Sequence, residues 1–151
     1  TKFPDVMIHG IKKLEKLDYV FDSVTIRDCT VPFITKSTIK KSVKKFYSKK
    51  CDCVASVYRQ HLNPYFNIVE LKNGFLQLSK KPSSPVYSRQ QAPVVLQLNG
   101  LFVFSVKNYL KHKSILMPKL LPYEISAEEG LTIDTEIEFL LASLFMKKIN
   151  K

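Results

Sequence analysis

The stretch Cys53 to Tyr58 constrains the fold more than any other part of the chain. Its sequence, Cys-Val-Ala-Ser-Val-Tyr, is almost wholly apolar and follows a helical pattern over about Lys36 to Lys49. A strand without polar alternation is buried on both faces, and such strands belong to parallel sheets covered by helices. The preceding helix carries Ile39, Val43 and Phe46 at one-turn spacing, with lysines over much of the rest and Thr35 placed to cap it. Upstream, Tyr19 to Arg27 reads as a strand, and Pro4 to Leu17 as an amphipathic helix with Met7, Ile11 and Leu14 on one face. Strand, helix and strand then make one right-handed crossover unit. The expected class is α/β with a mostly parallel core.

The middle of the chain departs from that pattern. Asn73-Gly74 lies between the apolar runs Phe66 to Leu71 and Phe75 to Leu78, which signals an antiparallel hairpin. Ser79 to Gln91, with two prolines and two serines at its centre, reads as a loop. Val94 to Phe104 reads as a strand broken at Asn99-Gly100, followed by a short helix from Val106 to Lys111. The last element opens on Thr135-Glu136-Ile137-Glu138, a capping box. Its stripe of Ile137, Leu140, Leu141, Leu144 and Phe145 is expected to be buried. One domain over residues 1–151 is expected, with an excursion over about 64–105.

Composition narrows the function classes. At 151 residues, 45% hydrophobic and 25% charged, the chain is long and apolar enough to fold as one domain. No apolar run approaches the roughly 20 residues of a membrane span, and no signal-peptide core opens the chain. The chain begins at Thr1 inside a helical pattern, so a piece of a longer polypeptide is expected. Cys29, Cys51 and Cys53 offer neither a disulfide framework nor the four ligands of a zinc site, which suits a reducing cytoplasm. The net charge of +11 invites an acidic partner. Yet only Arg27, Arg59 and Arg89 among the 24 basic residues are arginine. Bidentate reading of bases and phosphates favours Arg over Lys, so this surplus resembles a solvated surface more than a nucleic-acid reading head.

In open α/β sheets, ligands lie beyond the carboxyl ends of the strands. Polar clusters fall there: Asp28 to Pro32, Arg59 to Tyr65 and Thr132 to Thr135. Around them, four segments follow the order of one known family. Asp18 to Ile34, D-Y-V-F-D-S-V-T-I-R-D-C-T-V-P-F-I, is similar to its strand and T-S-P-L-R turn, with Thr30 and Pro32 at matching places. Ser56 to Glu70 contains N-P-Y-F-N, which recurs in one branch of the family. Ser88 to Gly100 resembles its R-Q-x-x-P…N-G motif, and Thr132 to Phe139 its D-I-D-T-x-x-D-F motif. The chain thus resembles the C-terminal two thirds of the acylneuraminate cytidylyltransferases, the CMP-sialic acid synthetase family.

The resemblance implies a Rossmann-like nucleotidyltransferase core, an antiparallel dimerisation hairpin and a cytoplasmic homodimer without nucleic-acid or membrane partners. It implies transfer of CMP from CTP to the anomeric hydroxyl of a nine-carbon sugar acid, with release of pyrophosphate, for surface glycan synthesis. Arg89, Gln90 and Asp134 take the catalytic positions. Asp28, Thr30, Asn63, Tyr65, Arg89, Gln90 and Asn99 take substrate-binding positions. Asp134 matches the family's Mg²⁺ carboxylate, and Thr132 replaces its first Asp. The family's first βαβ unit, with its Gly-, Arg- and Lys-containing phosphate loop, is absent, and Gly10, Gly74, Gly100 and Gly130 are isolated. The chain alone is therefore expected not to turn over CTP. Two other functions fit the residues: a non-catalytic sugar- or nucleotide-binding module of the same fold, and a basic nucleic-acid-binding domain.

Overall fold

The computed structural model describes residues 2–149. Its elements are α1 (Phe3–Glu15), β1 (Ser23–Arg27), α2 (Lys36–Ser48), β2 (Cys53–Arg59), β3 (Val69–Lys72), β4 (Phe75–Leu78), β5 (Leu96–Ser105), α3 (Val106–His112), β6 (Leu120–Glu124) and α4 (Glu136–Ile149). They form two compact units, one running to Val57 and resuming at Leu98, the other Tyr58–Gln97. The stretch 64–105 is thus divided between the second unit and the inner part of β5.

The first unit is built on a four-stranded sheet in the order β1-β5-β2-β6. β1 pairs antiparallel with β5, Ser23 opposite Ser105 and Arg27 opposite Leu101. β2 pairs parallel with β6, as its apolar run requires. The Ser105 N–H donates to the Asp52 carbonyl at 3.0 Å and the Leu101 N–H to Ser56 Oγ at 3.1 Å, so β5 also runs against β2. Three strands share one direction, and β5 opposes them. β1 and β2, expected as one crossover unit, are therefore not neighbours, because β5 lies between them.

The pleat sends alternate residues to opposite faces. Cys53 and Ala55 of β2 and Phe102 and Phe104 of β5 point to one face, where Ile11 of α1 and Val106 and Tyr109 of α3 close a core. Val54 and Val103 point to the other, against Phe46 of α2. Phe104 and Tyr109 stack with centroids 4.7 Å apart. Cys53 is a core residue of this kind: burial, with Cys51 and Asp52 beside it, pushes its thiol up to about 12. Thr35 caps α2 as expected, accepting from the Thr38 N–H at 3.1 Å. Its most buried side is Thr38, Ser42 and Phe46, with Ile39 and Val43 only half-buried.

Three other expectations are corrected. The strand expected from Tyr19 starts at Ser23, because left-handed Asp18 (φ 61°) turns the chain out of α1 and leaves Tyr19 and Val20 exposed. β5 passes through Asn99-Gly100 unbroken, since both residues are buried in the sheet. The capping box holds α4, but Ile137, Leu140, Leu141 and Leu144 are exposed; Ala142 is its buried contact and Phe145 meets Phe33 edge-on at 4.9 Å.

In the second unit, β3 and β4 form the expected hairpin, with Asn73 (φ 53°) and Gly74 (φ 82°) in its turn. Two left-handed residues in succession make the turn whose twist matches a two-residue hairpin. Its first strand begins at Val69 because the N–H groups of Phe66, Asn67 and Ile68 all donate to the Asn63 carbonyl. Every residue of both strands is exposed.

Candidate functional site

The residues singled out in the sequence fall into two sets, one in each unit. In the first unit, the loop after β1, the Asn99-Gly100 step of β5 and the segment Gly130 to Asp134 are tied together by backbone. The Asp28 N–H donates to the Gly100 carbonyl at 2.8 Å, and the Ile133 N–H to the Thr30 carbonyl at 2.9 Å. Asn99 is buried; its Nδ2 donates to the Gly130 carbonyl at 3.0 Å, while its Oδ1 meets no partner among the described residues. A buried acceptor left unpaired costs about 1–3 kcal/mol, so this oxygen is suited to a donor from a bound molecule. The Asp28 side chain lies flat against Gly100, and burial raises its carboxyl above the usual 3.8. Asp28, Thr30 and Asn99 are thus brought to one place, and the Thr30–Ile133 bond holds Asp134 one residue from it.

Asp134 itself is exposed. Glu138 Oε2 accepts from the N–H groups of Asp134 and Thr135 and from the Thr135 hydroxyl, at 2.9, 2.8 and 2.9 Å. These bonds, led by that from Asp134, hold its carboxyl below the usual 4.5. The Thr132 hydroxyl donates to the Gly130 carbonyl at 3.3 Å. Among the described residues there is no group of three or more His, Cys, Asp or Glu able to hold a metal ion. Asp134 offers one exposed carboxylate. A magnesium ion keeps most of its water and is commonly held by one or two carboxylates with phosphates, so such a group could touch it but not cage it.

Glu129, which the sequence did not single out, anchors the same region. Its Oε1 accepts from the Thr35 N–H at 3.1 Å and the Thr38 hydroxyl at 2.6 Å, across the start of α2. Burial alone would raise its carboxyl, but these bonds and one from the Ser126 backbone outweigh burial and lower it. A lowered folded value means stabilisation that is complete above the unfolded value near 4.5 and fades as pH falls through the folded one. Glu129→Gln is expected to flatten the acid limb of the stability profile, and Glu129→Ala to cost about 1 kcal/mol, the scale of a lost helix cap. Urea melts between neutral pH and mild acid measure both.

The second unit brings together Arg59, Gln60, Asn63, Arg89 and Gln90 around a pocket of 210 Å³. Arg89 and Gln90 sit on a single 3₁₀ turn, Arg89–Gln91, after an irregular loop. Both are exposed. Arg59 and Gln60 lie in the polar cluster Arg59 to Tyr65 expected at a strand end, but were assigned no binding role there. Gln60 Nε2 donates to the Tyr58 hydroxyl at 2.9 Å, which leaves its Oε1 as an acceptor. Asn63 is buried and holds the wall together, with Nδ2 donating to the Pro93 carbonyl and Oδ1 accepting from the Tyr65 N–H, both at 2.9 Å. Its polar atoms are thus already paired. Tyr65 is half-buried beneath Lys80, whose Nζ stands 5.6 Å from the ring centroid. The Arg89 guanidinium beside the Gln60 and Gln90 amides can clamp a carboxylate or phosphate and bond hydroxyls.

No helix among the described residues is long and apolar enough to cross a membrane. No known family profile matches the chain. It is similar to the post-translational flagellin modification protein B of Campylobacter coli, with 22% identity over 99% of this chain and 63% of that protein. The chain therefore spans less than two thirds of that relative's length. Its fold is similar to 4-diphosphocytidyl-2C-methyl-D-erythritol synthase from Anaerococcus prevotii, with a TM-score of 0.58, 12% identity, and 97% of this chain and 67% of that one covered. The fold is thus a mixed α/β fold of that kind.

Proposed function

We propose that this chain is the acceptor-sugar part of a CTP-dependent nucleotidyltransferase. It moves CMP to the anomeric hydroxyl of a nine-carbon sugar acid, in surface glycan synthesis. The observation that carries the reading is the pocket bearing Arg59, Gln60, Arg89 and Gln90, which suits a carboxylate flanked by hydroxyls. The fold shared with an enzyme named for a cytidyl product, and the likeness to a flagellin modification protein, support it. In the reaction the anomeric oxygen attacks the α-phosphorus, the bond from the α-phosphorus to the bridging oxygen breaks, pyrophosphate leaves with that oxygen, and the hydroxyl proton passes to solvent. Arg89 and Gln90 hold and orient the sugar acid. Magnesium, touched by Asp134, would neutralise charge on the phosphates.

Phosphate binding needs clustered backbone amides. Here Gly10 lies in α1, Gly74 in the hairpin turn and Gly100 inside β5, and the Gly130 N–H donates to the Ser126 carbonyl, so the glycines form no cluster of amides for a phosphate. In this reading the 151 residues bind sugar acid and release no pyrophosphate from CTP by themselves. The test is titration of the purified chain with N-acetylneuraminic acid. Arg89→Ala is expected to lose about tenfold in affinity, as expected for a charge-assisted hydrogen bond. An unchanged affinity would sink the reading.

A homodimer belongs to the same proposal. A lone two-stranded hairpin is marginal in water, and Leu71, Phe75 and Leu76 are 72, 74 and 70% exposed. A second copy pairing hairpin to hairpin would bury them. Light scattering is expected to give a dimer, and Leu71→Asp with Phe75→Asp a monomer. One alternative has its own support: the Thr132 hydroxyl bonds a backbone carbonyl where the resembled family has a carboxylate, as suits a non-catalytic binding module. CTP binding indifferent to magnesium would favour it.

A further inference from the structure

α2 and α4 both start on a threonine, but they are capped differently. At α4 the box closes within the helix: the Thr135 hydroxyl accepts from the Glu138 N–H at 3.3 Å, and Glu138 Oε2 accepts from the Thr135 N–H at 2.8 Å. At α2 the third residue after the cap is Thr38, which has no carboxylate to reach back. Glu129, ninety-four residues beyond Thr35, supplies it, because its Oε1 accepts from both the Thr35 N–H and the Thr38 hydroxyl. The box of α2 is thus closed by another segment of the chain. That segment is the turn 126–130. Ser126 Oγ accepts from the Glu129 N–H at 3.2 Å, and the Ser126 carbonyl from the Gly130 N–H at 3.0 Å. The Gly130 carbonyl in turn accepts from Asn99 Nδ2.

Asn99 is only 4% exposed, and among the described residues its side chain makes no other hydrogen bond. A carboxamide carries its donor and its acceptor on opposite branches. With Nδ2 fixed on Gly130, Oδ1 is turned away and left as an open acceptor. Turned over, the amide would set two acceptor oxygens against each other. One carbonyl therefore decides which atom Asn99 offers. Resting on the function proposed above, we infer that Glu129 is a positioning residue of the transferase: anchored on the start of α2, it holds the turn 126–130 so that Gly130 keeps Asn99 Oδ1 open to a hydrogen-bond donor of a substrate. A glutamate inside α2 would cap the helix as well and place nothing. Closing the box from outside ties the start of the helix to the orientation of the amide.

The test follows the Asn99 carboxamide by NMR in the full chain, its side-chain protons identified by their absence in Asn99→Ser. In Glu129→Ala they are expected to exchange with solvent roughly tenfold faster, the scale of one lost hydrogen bond. The Leu101 N–H, which donates to Ser56 Oγ, should keep its rate and report an intact sheet. Glu129→Gln retains an acceptor oxygen for Thr35 and Thr38, and should stay within about twofold of the unaltered chain. Thr38→Glu combined with Glu129→Ala rebuilds the box inside α2. Urea melts should then recover most of the lost stability, while exchange at Asn99 stays fast. Slow exchange returning with stability would mean that Asn99 merely follows the helix cap, and overturns the inference. Unchanged exchange in Glu129→Ala overturns it too. If that variant does not fold, Thr38→Val decides in its place, since it keeps the shape and removes one bond to Glu129. Exchange faster by about threefold supports the inference, and an unchanged rate sinks it. Titration of the unaltered chain with N-acetylneuraminic acid separates the two proposals. No binding there removes the transferase reading, while the exchange rates still decide what holds Asn99.

Discussion

Phe104→Ala is expected to destabilise the protein by about 3–5 kcal/mol, the range for removing a buried aromatic ring. The ring is fully buried and stacks on Tyr109, and its neighbours come from β2, α1 and α3. Removing it leaves a cavity lined by parts of three elements that the sheet and helices hold apart, so the core cannot collapse to fill it. A loss of this size is comparable with the 5–15 kcal/mol by which whole domains are stable. The urea midpoint should fall sharply while the slope stays unchanged. A shift of less than about 1 kcal/mol would mean that Phe104 is not the centre of this core.

Gly100→Ala should be the costliest small change, at about 1–3 kcal/mol and toward the upper end. A Cβ at Gly100 would lie 2.7 Å from Asp28 Oδ2, 2.8 Å from Asp28 Cβ and 3.0 Å from Asp28 Cγ. The oxygen could rotate away, but Asp28 Cβ cannot move unless the backbone does. That backbone is pinned, because the Asp28 N–H donates to the Gly100 carbonyl at 2.8 Å. Gly100 is therefore required by close approach, not by a left-handed backbone. Asp28→Gly in the Gly100→Ala background should recover most of the loss, and a double-mutant cycle measures that coupling. Loss in the double variant equal to the sum of the singles would show that the two residues do not collide.

Much of the fold could be read along the chain. The apolar run of β2 announced a strand buried on both faces and paired in parallel with β6. Thr35 and Thr135 marked the starts of α2 and α4 through bonds that reach three residues ahead. Asn73-Gly74 fixed the hairpin because its turn needs two left-handed residues. All of these are local signals, set by a few neighbouring side chains. The candidate site was legible in part for the same reason. Arg89 and Gln90 stand on one short turn, whereas Arg59 and Gln60, though placed at a strand end, join them from thirty residues away.

By itself, the sequence determined the element types, the caps, the hairpin turn, the lysine-covered helix and the strand-end positions of the polar clusters. Each follows from backbone stereochemistry or from hydrophobic periodicity within a few residues. Only the tertiary structure decided that β5 lies between β1 and β2, that Asn99-Gly100 continues a strand, and that the apolar stripe of α4 faces outward. It likewise decided that Glu129 holds the start of α2 and that a polar and an apolar cavity share Gln60 and Val95. These depend on contacts between residues far apart in the chain. Periodicity tells which face of an element is apolar, but not which other element, if any, covers that face.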